Sequence, residues 1–372
     1  MSASVSLHAA QLTATSSTFQ SVMATAVGGD SVKLSGNFGR TDLYNRNFSS
    51  LVAIDASDAS FNDTFVMNNV SNVAFTGGSY GSKTARTAWG RAVVVYGGNN
   101  VSFTNPHVSG FYGDQGLFFG GTTNVRITGA TLSKLDAGIV FGNVTGGSIT
   151  NSNSIGSTSD GIDIANSSYI DVGYNTCTGG TPTAGAHPDC VQLWSSPGNA
   201  RQSHISIHNN YASGDTQGFT NFASYGIGSD YISIMNNRVD GLMPQGIACY
   251  SCANSTITGN ILNSLSGAEY QVLLRTPGGT NNTISGNTIG AFSDVTAKPT
   301  VFYVRQQLID GLVHAPTFAM PPSIVPEPAV WAMMIAGFAM VGLGQRQRHG
   351  GVDAWRSYPA ITPYVSFATS AA

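Results

Sequence analysis

One short pattern recurs through most of the chain. It has two apolar residues flanking one position, then a polar residue, then Asn or Gly, as in Val101-Ser102-Phe103-Thr104-Asn105. Its second apolar residue falls at positions 75, 103, 127, 149, 172, 207, 234, 257 and 284, so the copies lie 22 to 35 residues apart. Such an interval, with apolar residues at every second position, is typical of a solenoid of strands. Helical repeats would show a 3.6-residue periodicity instead.

One coil of such a solenoid cannot bury its own apolar face, so neighbouring coils must stack and share a core. The Asn or Gly that closes each copy suits a turn, because both residues tolerate left-handed backbone angles. Stacked Asn side chains can also hydrogen-bond in ladders from coil to coil. The sequence therefore predicts an all-β parallel β-helix.

A second strand pattern, Gly-apolar-x-apolar, accompanies the first. Gly138-Ile139-Val140-Phe141 and Gly161-Ile162-Asp163-Ile164 are two examples. Side chains alternate across a strand, so the apolar pair faces inward and the residue between them faces outward. The predicted outward column is Phe118, Val140, Asp163, Gln192, Ala248 and Leu273.

In these two patterns the chain resembles the right-handed parallel β-helix proteins of the pectate-lyase-like superfamily. The resemblance covers roughly residues 30 to 300. It implies a right-handed solenoid, and it says little about the reaction.

The composition agrees with a folded strand-rich chain and narrows the partners. Only 9% of residues are charged, 45 of the 372 residues are glycines, and the formal net charge is -3. Disordered chains are usually charge-rich and poor in β-branched residues. Without a basic stripe, nucleic acid is excluded as an expected partner, and we expect a monomer.

Two aspartates mark the candidate site. Asp160 and Asp189 each stand two residues before an inward apolar residue, and Asp163 and Gln192 follow at matching positions. If the two coils are neighbours, their strands lie about 4.8 Å apart, so the carboxylates approach each other and one pKa rises. That shift can make one group an acid while another stays ionised. Asp before Gly, as at Asp160, is also common turn chemistry.

The longest interval between copies ends at this site. The extra residues include 178–186, just before His187, and long loops on solenoids often carry function. Trp194 and Tyr250 offer apolar faces for sugar rings, and Arg275 can bind the carboxylate of an acidic sugar. His187 and Trp194 could equally be ordinary loop and packing residues.

At these positions the chain also resembles the polygalacturonase-type glycoside hydrolases. Their Asn-Thr-Asp-Gly-Ile-Asp motif is similar to Ser159-Asp160-Gly161-Ile162-Asp163, and their Gly-Asp-Asp-Cys-Ile motif is similar to Pro188-Asp189-Cys190-Val191. The resemblance implies that Asp160 and Asp189 belong to a catalytic carboxylate set. Uronan lyases and mannuronan C5-epimerases share this fold, and their Asp-Pro-His signature is reversed here as His187-Pro188-Asp189.

Three hypotheses follow, from three classes of protein. The first is an enzyme that cleaves or epimerises an acidic polysaccharide, with Asp160, Asp163, His187 and Asp189 as catalytic residues. Substrate binding is assigned to Gln192, Trp194, Tyr250 and Arg275. The second is a binding or matrix protein that holds a polysaccharide without cutting it. The third is a structural solenoid whose aspartates bind calcium. The residues establish no cofactor, and Ca²⁺ is the one ion considered. In a lyase or epimerase, Arg275 or a cation would neutralise the uronate carboxylate.

The four cysteines are an even number, which fits an oxidising compartment. Cys177 and Cys190 are candidates for a disulfide that fixes the long loop. Cys249 and Cys252 form a single C-x-x-C without the second pair that a zinc site needs, so buried thiols or a disulfide are expected.

The end of the chain has a different character. Val325-Pro326-Glu327-Pro328 precedes an apolar run, residues 329–344, and a cluster of basic residues. This order resembles the PEP-CTERM sorting signal of Gram-negative bacteria, which implies export, recognition by envelope sorting machinery and transient membrane association. A plain C-terminal membrane helix is the alternative. Residues 1–20 show no secretory signal.

Five segments are predicted in chain order: an N-terminal cap or disordered segment (1–30), the β-helix (31–305), a linker (306–325), the sorting segment (326–349) and an uncharacterised tail (350–372).

Overall fold

Parallel strands dominate the computed structural model, which describes residues 9–290 except for 83, 86, 112 and 183–185. Each strand pairs with the strand one coil before it and one coil after it. The result is a right-handed solenoid of about 11 coils with very little helix. The predicted β-helix is confirmed. The linker, the sorting segment and the tail lie outside the described residues.

The first coils contain the longest strands. Their elements are β1 (Gln11–Ala14), α1 (Phe19–Thr25), β2 (Ser31–Phe38), β3 (Thr41–Phe61) and β4 (Phe65–Thr76). The helix covers the first coils, because Phe19 packs edge-on against Phe38 and Phe65. Within the described residues, no helix is long and apolar enough to cross a membrane.

Later coils each add one strand to each of three walls. The first wall consists of β6 (Arg91–Tyr96), β9 (Gln115–Gly120), β12 (Ile139–Gly142), β15 (Ile162–Ala165), β18 (Asp189–Trp194), β21 (Gln217–Asn221), β24 (Gln245–Cys249) and β27 (Leu273–Arg275). The second wall consists of β7 (Asn99–Thr104), β10 (Thr123–Thr128), β13 (Thr145–Thr150), β16 (Ser168–Gly173), β19 (Gln202–His208), β22 (Ser229–Met235), β25 (Thr256–Thr258) and β28 (Thr283–Ser285).

The third wall consists of β5 (Ser79–Tyr80), β8 (His107–Ser109), β11 (Thr131–Ser133), β14 (Asn153–Ile155), β17 (Thr176–Thr178), β20 (Tyr211–Gly214), β23 (Arg238–Gly241), β26 (Ile261–Ser264) and β29 (Thr288–Ile289). One short 3-10 turn, Ser224–Gly226, lies between β21 and β22. The apolar residues of all three walls form one continuous core.

Left-handed residues mark both ends of the second-wall strands, as the repeats predict. At one end Asn100 and Asn124 have φ of 55° and 52°, and at the other Asn105 and Asn151 have φ of 52° and 53°. Asn is the side chain other than Gly that best tolerates this region. Each end therefore presents a column of left-handed turn residues, most of them Asn or Gly, running along the solenoid.

A buried asparagine ladder lies inside the turn between the second and third walls. Asn210 accepts a hydrogen bond from Asn175, and Asn237 accepts one from Asn210, each at 3.0 Å. The ladder continues through Asn260 to Asn287. Predicted ladder formation is confirmed. In each of these five coils the ladder Asn directly follows a left-handed turn residue, and for Asn210 and Asn237 that turn residue is itself an Asn.

The predicted outward column omits the residue that one first-wall strand, β21, contributes. Thr220 on β21 lies between Gln192 and Ala248 in the register of the first wall. The strand was missed in the sequence because Asn221 occupies its second inward position, where the pattern requires an apolar residue. Asn221 is tolerated inside because its amide donates to the Ser229 hydroxyl at 2.6 Å.

The last member of that column was also wrong. Arg275, and not Leu273, lies opposite Ala248. An irregularity between Gln245 and Ile247 shifts the register of β24 against β27. A β-bulge of this kind inserts an unpaired residue, and the alternation of side chains alone cannot reveal it.

The ladder should be a main source of stability. We expect Asn237→Ala to lower the free energy of unfolding by about 3 kcal/mol, because each buried polar group left without a partner costs about 1–3 kcal/mol. Both the Asn210 N–H and the Ile207 carbonyl lose their partner in this variant. Urea unfolding followed by circular dichroism would measure the change.

Asn236→Gly is the matched control, because Asn236 is exposed and has φ of 55°, which Gly adopts freely. Its unfolding free energy should stay close to wild type. Equal losses in both variants would contradict a specific role for the ladder.

Candidate functional site

The predicted site residues lie on the first wall and at its edges. Asp163 is on β15, and Gln192 and Trp194 are on β18 with Asp189. Asp160 and His187 belong to the segments that lead into those two strands. Tyr250 directly follows β24, and Arg275 ends β27.

Four of these residues come together through the register of β15 and β18. Ile162 pairs with Val191, and Asp163 pairs with Gln192. Asp160 and Asp189 each stand two residues before the Ile162–Val191 pair and therefore lie side by side. The Asp189 backbone N–H donates to Asp160 Oδ1 at 3.0 Å. The adjacency expected from the sequence is therefore present.

The two aligned aspartates are buried rather than open to solvent. Asp160 is 6% exposed and Asp189 is 0% exposed. Besides the Asp189 N–H, Asp160 accepts a hydrogen bond from the Ser159 hydroxyl at 3.2 Å. The sequence analysis expected these groups on an open flank. The structure instead places both carboxyls beneath the surface, next to the core.

Asp189 holds two side chains that reach outward. Its Oδ2 accepts a hydrogen bond from Gln192 Nε2 at 2.9 Å and lies 3.5 Å from His187 Nδ1. The His187 side chain is 37% exposed. A buried carboxylate paired with a partly exposed imidazole fixes the orientation of the ring and stabilises its protonated form.

Asp163 is the accessible carboxyl of the cluster. It is half-buried, and its Oδ1 accepts a hydrogen bond from Trp194 Nε1 at 2.6 Å. Because Trp194 starts from the next coil, this bond joins two neighbouring rungs and lays the indole toward the carboxyl. Asp163 and Trp194 thus form a hydrogen-bonded pair on the outer face, in which Asp163 supplies a carboxyl group and Trp194 an apolar ring.

Burial governs the electrostatics of the three aspartates. It raises the pKa of Asp160 well above its ordinary value, and the charges of Asp189 and Asp163 add to the effect. It also raises the pKa of Asp189, against the lowering effect of His187.

Asp163 is shifted into the neutral range. Burial raises its pKa to about 7, the Trp194 hydrogen bond opposes the shift, and the charges of Asp189 and Asp136 add to it. The hydrogen bond to Asp189 raises the pKa of His187. A carboxylic acid that titrates near neutrality can both donate and accept a proton under ordinary conditions.

An aromatic rim borders this cluster. Phe222 packs edge-on against His187 with 5.7 Å between ring centroids, and Tyr250 packs edge-on against Phe222 at 5.6 Å. Tyr250 is therefore connected to the cluster through Phe222. Phe222 was missed in the sequence because it directly follows β21, the strand that the pattern did not reveal.

Asp136 is a second residue that sequence reasoning missed. It lies one coil before Asp160, where the Ser159 N–H donates to its carbonyl, and its carboxylate accepts a hydrogen bond from the Thr158 hydroxyl at 3.0 Å. The spacing of Asp136-Ala137-Gly138-Ile139 ahead of β12 was a signal that could have identified it.

Arg275 lies away from the carboxylates. Thr220 and Ala248 separate it from Gln192, so it is three strands further along the wall, or about 14 Å at the usual strand spacing. It can contact only a ligand that extends along the solenoid.

Two disulfides flank the site. Cys177 and Cys190 are linked, as predicted, and Cys190 directly follows Asp189. Cys249 and Cys252 are also linked, and Tyr250 lies inside that short loop. Gly161 is needed beside the first bridge, because a Cβ there would lie 2.8 Å from Cys177 Sγ. Each bridge fixes the backbone next to a predicted site residue.

For the calcium hypothesis, the aspartate cluster is the relevant feature. Among the residues that the structure describes, no group of three or more His, Cys, Asp or Glu side chains is arranged to hold a metal ion.

Comparison with known proteins shows the fold. No family model and no curated protein matches the chain. The DFA-IIIase of Arthrobacter chlorophenolicus A6 in complex with GF2 superposes with a TM-score of 0.53 at 13% identity, over 77% of this chain and 82% of that chain. The Dettilon tailspike protein superposes with a TM-score of 0.50 at 14% identity, over 73% and 57%.

A family 28 exopolygalacturonase of Yersinia enterocolitica has a TM-score of 0.45 at 12% identity, over 76% of this chain and 79% of that chain. At these identities the first two likenesses establish a shared β-helix fold, and the site residues stay predictions.

The raised pKa of Asp163 should be visible in stability. Between its ordinary pKa of 3.8 and about 7, the folded protein keeps a proton that the unfolded chain has lost. The free energy of unfolding therefore falls as the pH rises through this window. Asp163→Asn should make the decrease in unfolding free energy shallower. Part of the decrease should remain, because the pKa values of Asp160 and Asp189 are also raised. Urea unfolding across the window would measure both slopes.

Asp58→Asn is the control, because Asp58 is 58% exposed on β3 and lies far from the cluster along the chain. It should leave the slope unchanged. Identical slopes for wild type and Asp163→Asn would contradict the assignment of the shift to Asp163.

Proposed function

We propose that the first wall is the active site of an enzyme that cleaves glycosidic bonds in an acidic polysaccharide. The observation that carries the proposal is Asp163, a half-buried carboxyl bonded to Trp194 with a pKa of about 7. The charge of Asp189, the buried carboxylate that pairs with His187, contributes to that shift. Perturbed groups of this kind concentrate at functional sites. The β-helix fold shared with the DFA-IIIase supports this choice.

In the hydrolytic form of the proposal, Asp163 is the general acid. Its protonated carboxyl gives a proton to the glycosidic oxygen as the bond to the leaving sugar breaks. A water molecule then supplies the hydroxyl at the anomeric carbon, and a second group accepts the proton of that water. His187, oriented by Asp189, serves as that partner when it is neutral.

In the elimination form, His187 removes the proton next to a uronate carboxyl group and the glycosidic oxygen leaves with a proton from Asp163. Because the pKa of His187 is raised, its basic form accumulates only at higher pH. The hydrolytic form needs the same neutral imidazole, so the products and not the pH dependence separate the two forms. Elimination alone leaves an unsaturated sugar.

Substrate binding is assigned to the remaining residues of the wall. Trp194 and Tyr250 present apolar surfaces on which sugar rings can stack, and Gln192 presents an amide at the cluster. Arg275, three strands away, would bind the carboxylate of a different sugar in the same extended chain. This arrangement requires a polymer and not a single sugar.

One observation favours a second candidate, a protein that binds polysaccharide without cutting it. Asp160 and Asp189 are both buried, so Asp163 is the one accessible carboxyl of the three. A binding site needs no pair of reacting carboxylates.

We also propose that the protein is exported. The two disulfides support an oxidising compartment. The sorting segment, residues 326–349, is the second reason, and it rests on the sequence alone.

The cleavage proposal predicts activity on polygalacturonate, alginate or glucuronan. Release of reducing ends alone identifies hydrolysis, and ultraviolet absorbance of an unsaturated product identifies elimination. Asp163→Asn should reduce kcat by about 10²–10⁴-fold, the usual contribution of a general acid or base. Asp58→Asn should retain full activity. Retarded migration on these polymers without any product would favour the binding protein instead.

Trp194 should tune the pH range of that activity. Trp194→Phe removes the N–H that lowers the pKa of Asp163, so this pKa should rise further. If Asp163 is the general acid, the loss of activity at high pH should move upward by about one pH unit, since one pKa unit equals about 1.4 kcal/mol. Trp89→Phe, at an exposed tryptophan on another coil, should leave the profile unchanged. An unshifted profile in Trp194→Phe would separate Asp163 from the rate-limiting proton transfer.

A further inference from the structure

Three rings interrupt a column of turn residues on the second wall. In the nine coils whose register can be followed, the other members of this column are Asn72, Asn100, Asn124, Gly146, Asn254 and Asn281. Tyr169, His204 and Tyr231 occupy three consecutive coils between Gly146 and Asn254. These three residues are here called the ring ladder.

The ring ladder adopts a backbone conformation that its residues disfavour. Tyr169, His204 and Tyr231 have φ of 62°, 56° and 53°, the same left-handed angles as the asparagines of the column. Bulky residues are rare in this region because Cβ crowds the backbone. Asn would fit each of these turns without strain, so the turn itself does not explain the rings.

The rings are stacked and open to solvent. His204 lies 4.6 Å from Tyr169 and 4.9 Å from Tyr231 between centroids, with interplanar angles of 12° and 22°. Tyr169 is 58% exposed and Tyr231 is 53% exposed. Stacking fixes the ring positions before any ligand arrives, which reduces the entropy lost on binding.

The ladder ends at a glycine. Gly146 lies in the coil before Tyr169, and the nearest atoms to a Cβ built on it belong to Asn124 in the preceding coil. No side chain of residue 146 can therefore cover that face of the Tyr169 ring. The Tyr169 ring offers a flat apolar surface at the end of the stack.

The groups around the ladder are mostly neutral and polar. Ser168, Ser206 and Ser233 place hydroxyls on the same three strands. The carboxylates of these strands are Asp171, which pairs with His208, and Asp230, which pairs with Arg201. Strands β16, β19 and β22 contain no Lys or Arg, so this surface is not built to attract an anionic polymer.

The ladder also continues from the candidate site. Strand β15, which carries Asp163, is connected to β16 by two residues, Asn166 and Ser167. Trp194 and His204 likewise belong to one coil. The ladder and the candidate site therefore lie on adjacent walls of the same coils.

We propose that the ring ladder is a second glycan-binding surface, which takes an uncharged sugar ring by stacking it on the Tyr169 ring that His204 and Tyr231 support from behind. Apolar faces flanked by hydroxyls are what a pyranose needs, since its C–H face is apolar and its rim is polar. This surface lies outside the candidate site and requires no cleavage chemistry. It stands whether or not the first wall cuts its substrate.

Affinity electrophoresis of the full-length protein would test the proposal. Native gels would contain hydroxyethyl cellulose or pullulan as neutral glycans, with polygalacturonate as the acidic one. Wild-type protein should be retarded by a neutral glycan. Tyr169→Asn and Tyr231→Asn should each raise the apparent Kd by about tenfold, which equals about 1.4 kcal/mol.

Both variants restore the residue type of the column, so the fold should be kept. Tyr174→Asn is the matched control, because Tyr174 is also 58% exposed and left-handed, with φ of 59°, but lies outside the ladder. Its affinity should match wild type, and Asp163→Asn should also bind neutral glycan normally while cleavage is assayed separately.

Four outcomes of the binding assay would overturn the proposal. They are no retardation of wild type by either neutral glycan, undiminished binding in both ladder variants, an equal loss in Tyr174→Asn, and a loss in Asp163→Asn, which would assign the binding to the first wall. Light scattering decides whether the ladder joins two copies of the chain. A wild-type dimer that the ladder variants convert to monomer would also overturn it.

Discussion

Backbone pairing between successive coils determines everything else in this molecule. A coil contributes short strands whose apolar side chains cannot be buried alone, so each one is stable only against its neighbours. The pairing fixes which residue lies beside which, and the inward apolar columns keep that register along the solenoid. Asp160 lies beside Asp189 because Ile162 pairs with Val191. The candidate site is thus a product of core packing on the other side of the same strands.

Placing carboxyls next to a packed core has an electrostatic consequence. Asp160 and Asp189 are removed from water, and burial raises the pKa of each. The hydrogen bonds from the Asp189 N–H, Gln192 and Ser159 offset part of that desolvation. Asp163 combines burial with access to solvent, so the buried pair and the half-buried group have different tasks. Under the proposed function, the inner carboxyls position other groups and the outer one transfers a proton.

The sequence was sufficient for the fold and for the neighbourhood of the site, since both follow from alternation and repeat length. The β-helix, the Asp160–Asp189 adjacency and the Cys177–Cys190 bridge could all be predicted. It was insufficient where a coil departs from the pattern. Asn221 hid one coil and with it Phe222, and the irregularity after Gln245 displaced Arg275. The burial of Asp160 and Asp189 could not be predicted either, because alternation gives the direction of a side chain and not which groups cover it.

The bridge between Cys177 and Cys190 separates two kinds of change that evolution can make to such a protein. Residues between Thr178 and His187 can be inserted or deleted without moving β17 or β18, because the bridge joins those two strands directly. An insertion within a strand would instead displace every later rung. The segment beside His187 is therefore where new specificities can arise while the scaffold is inherited unchanged.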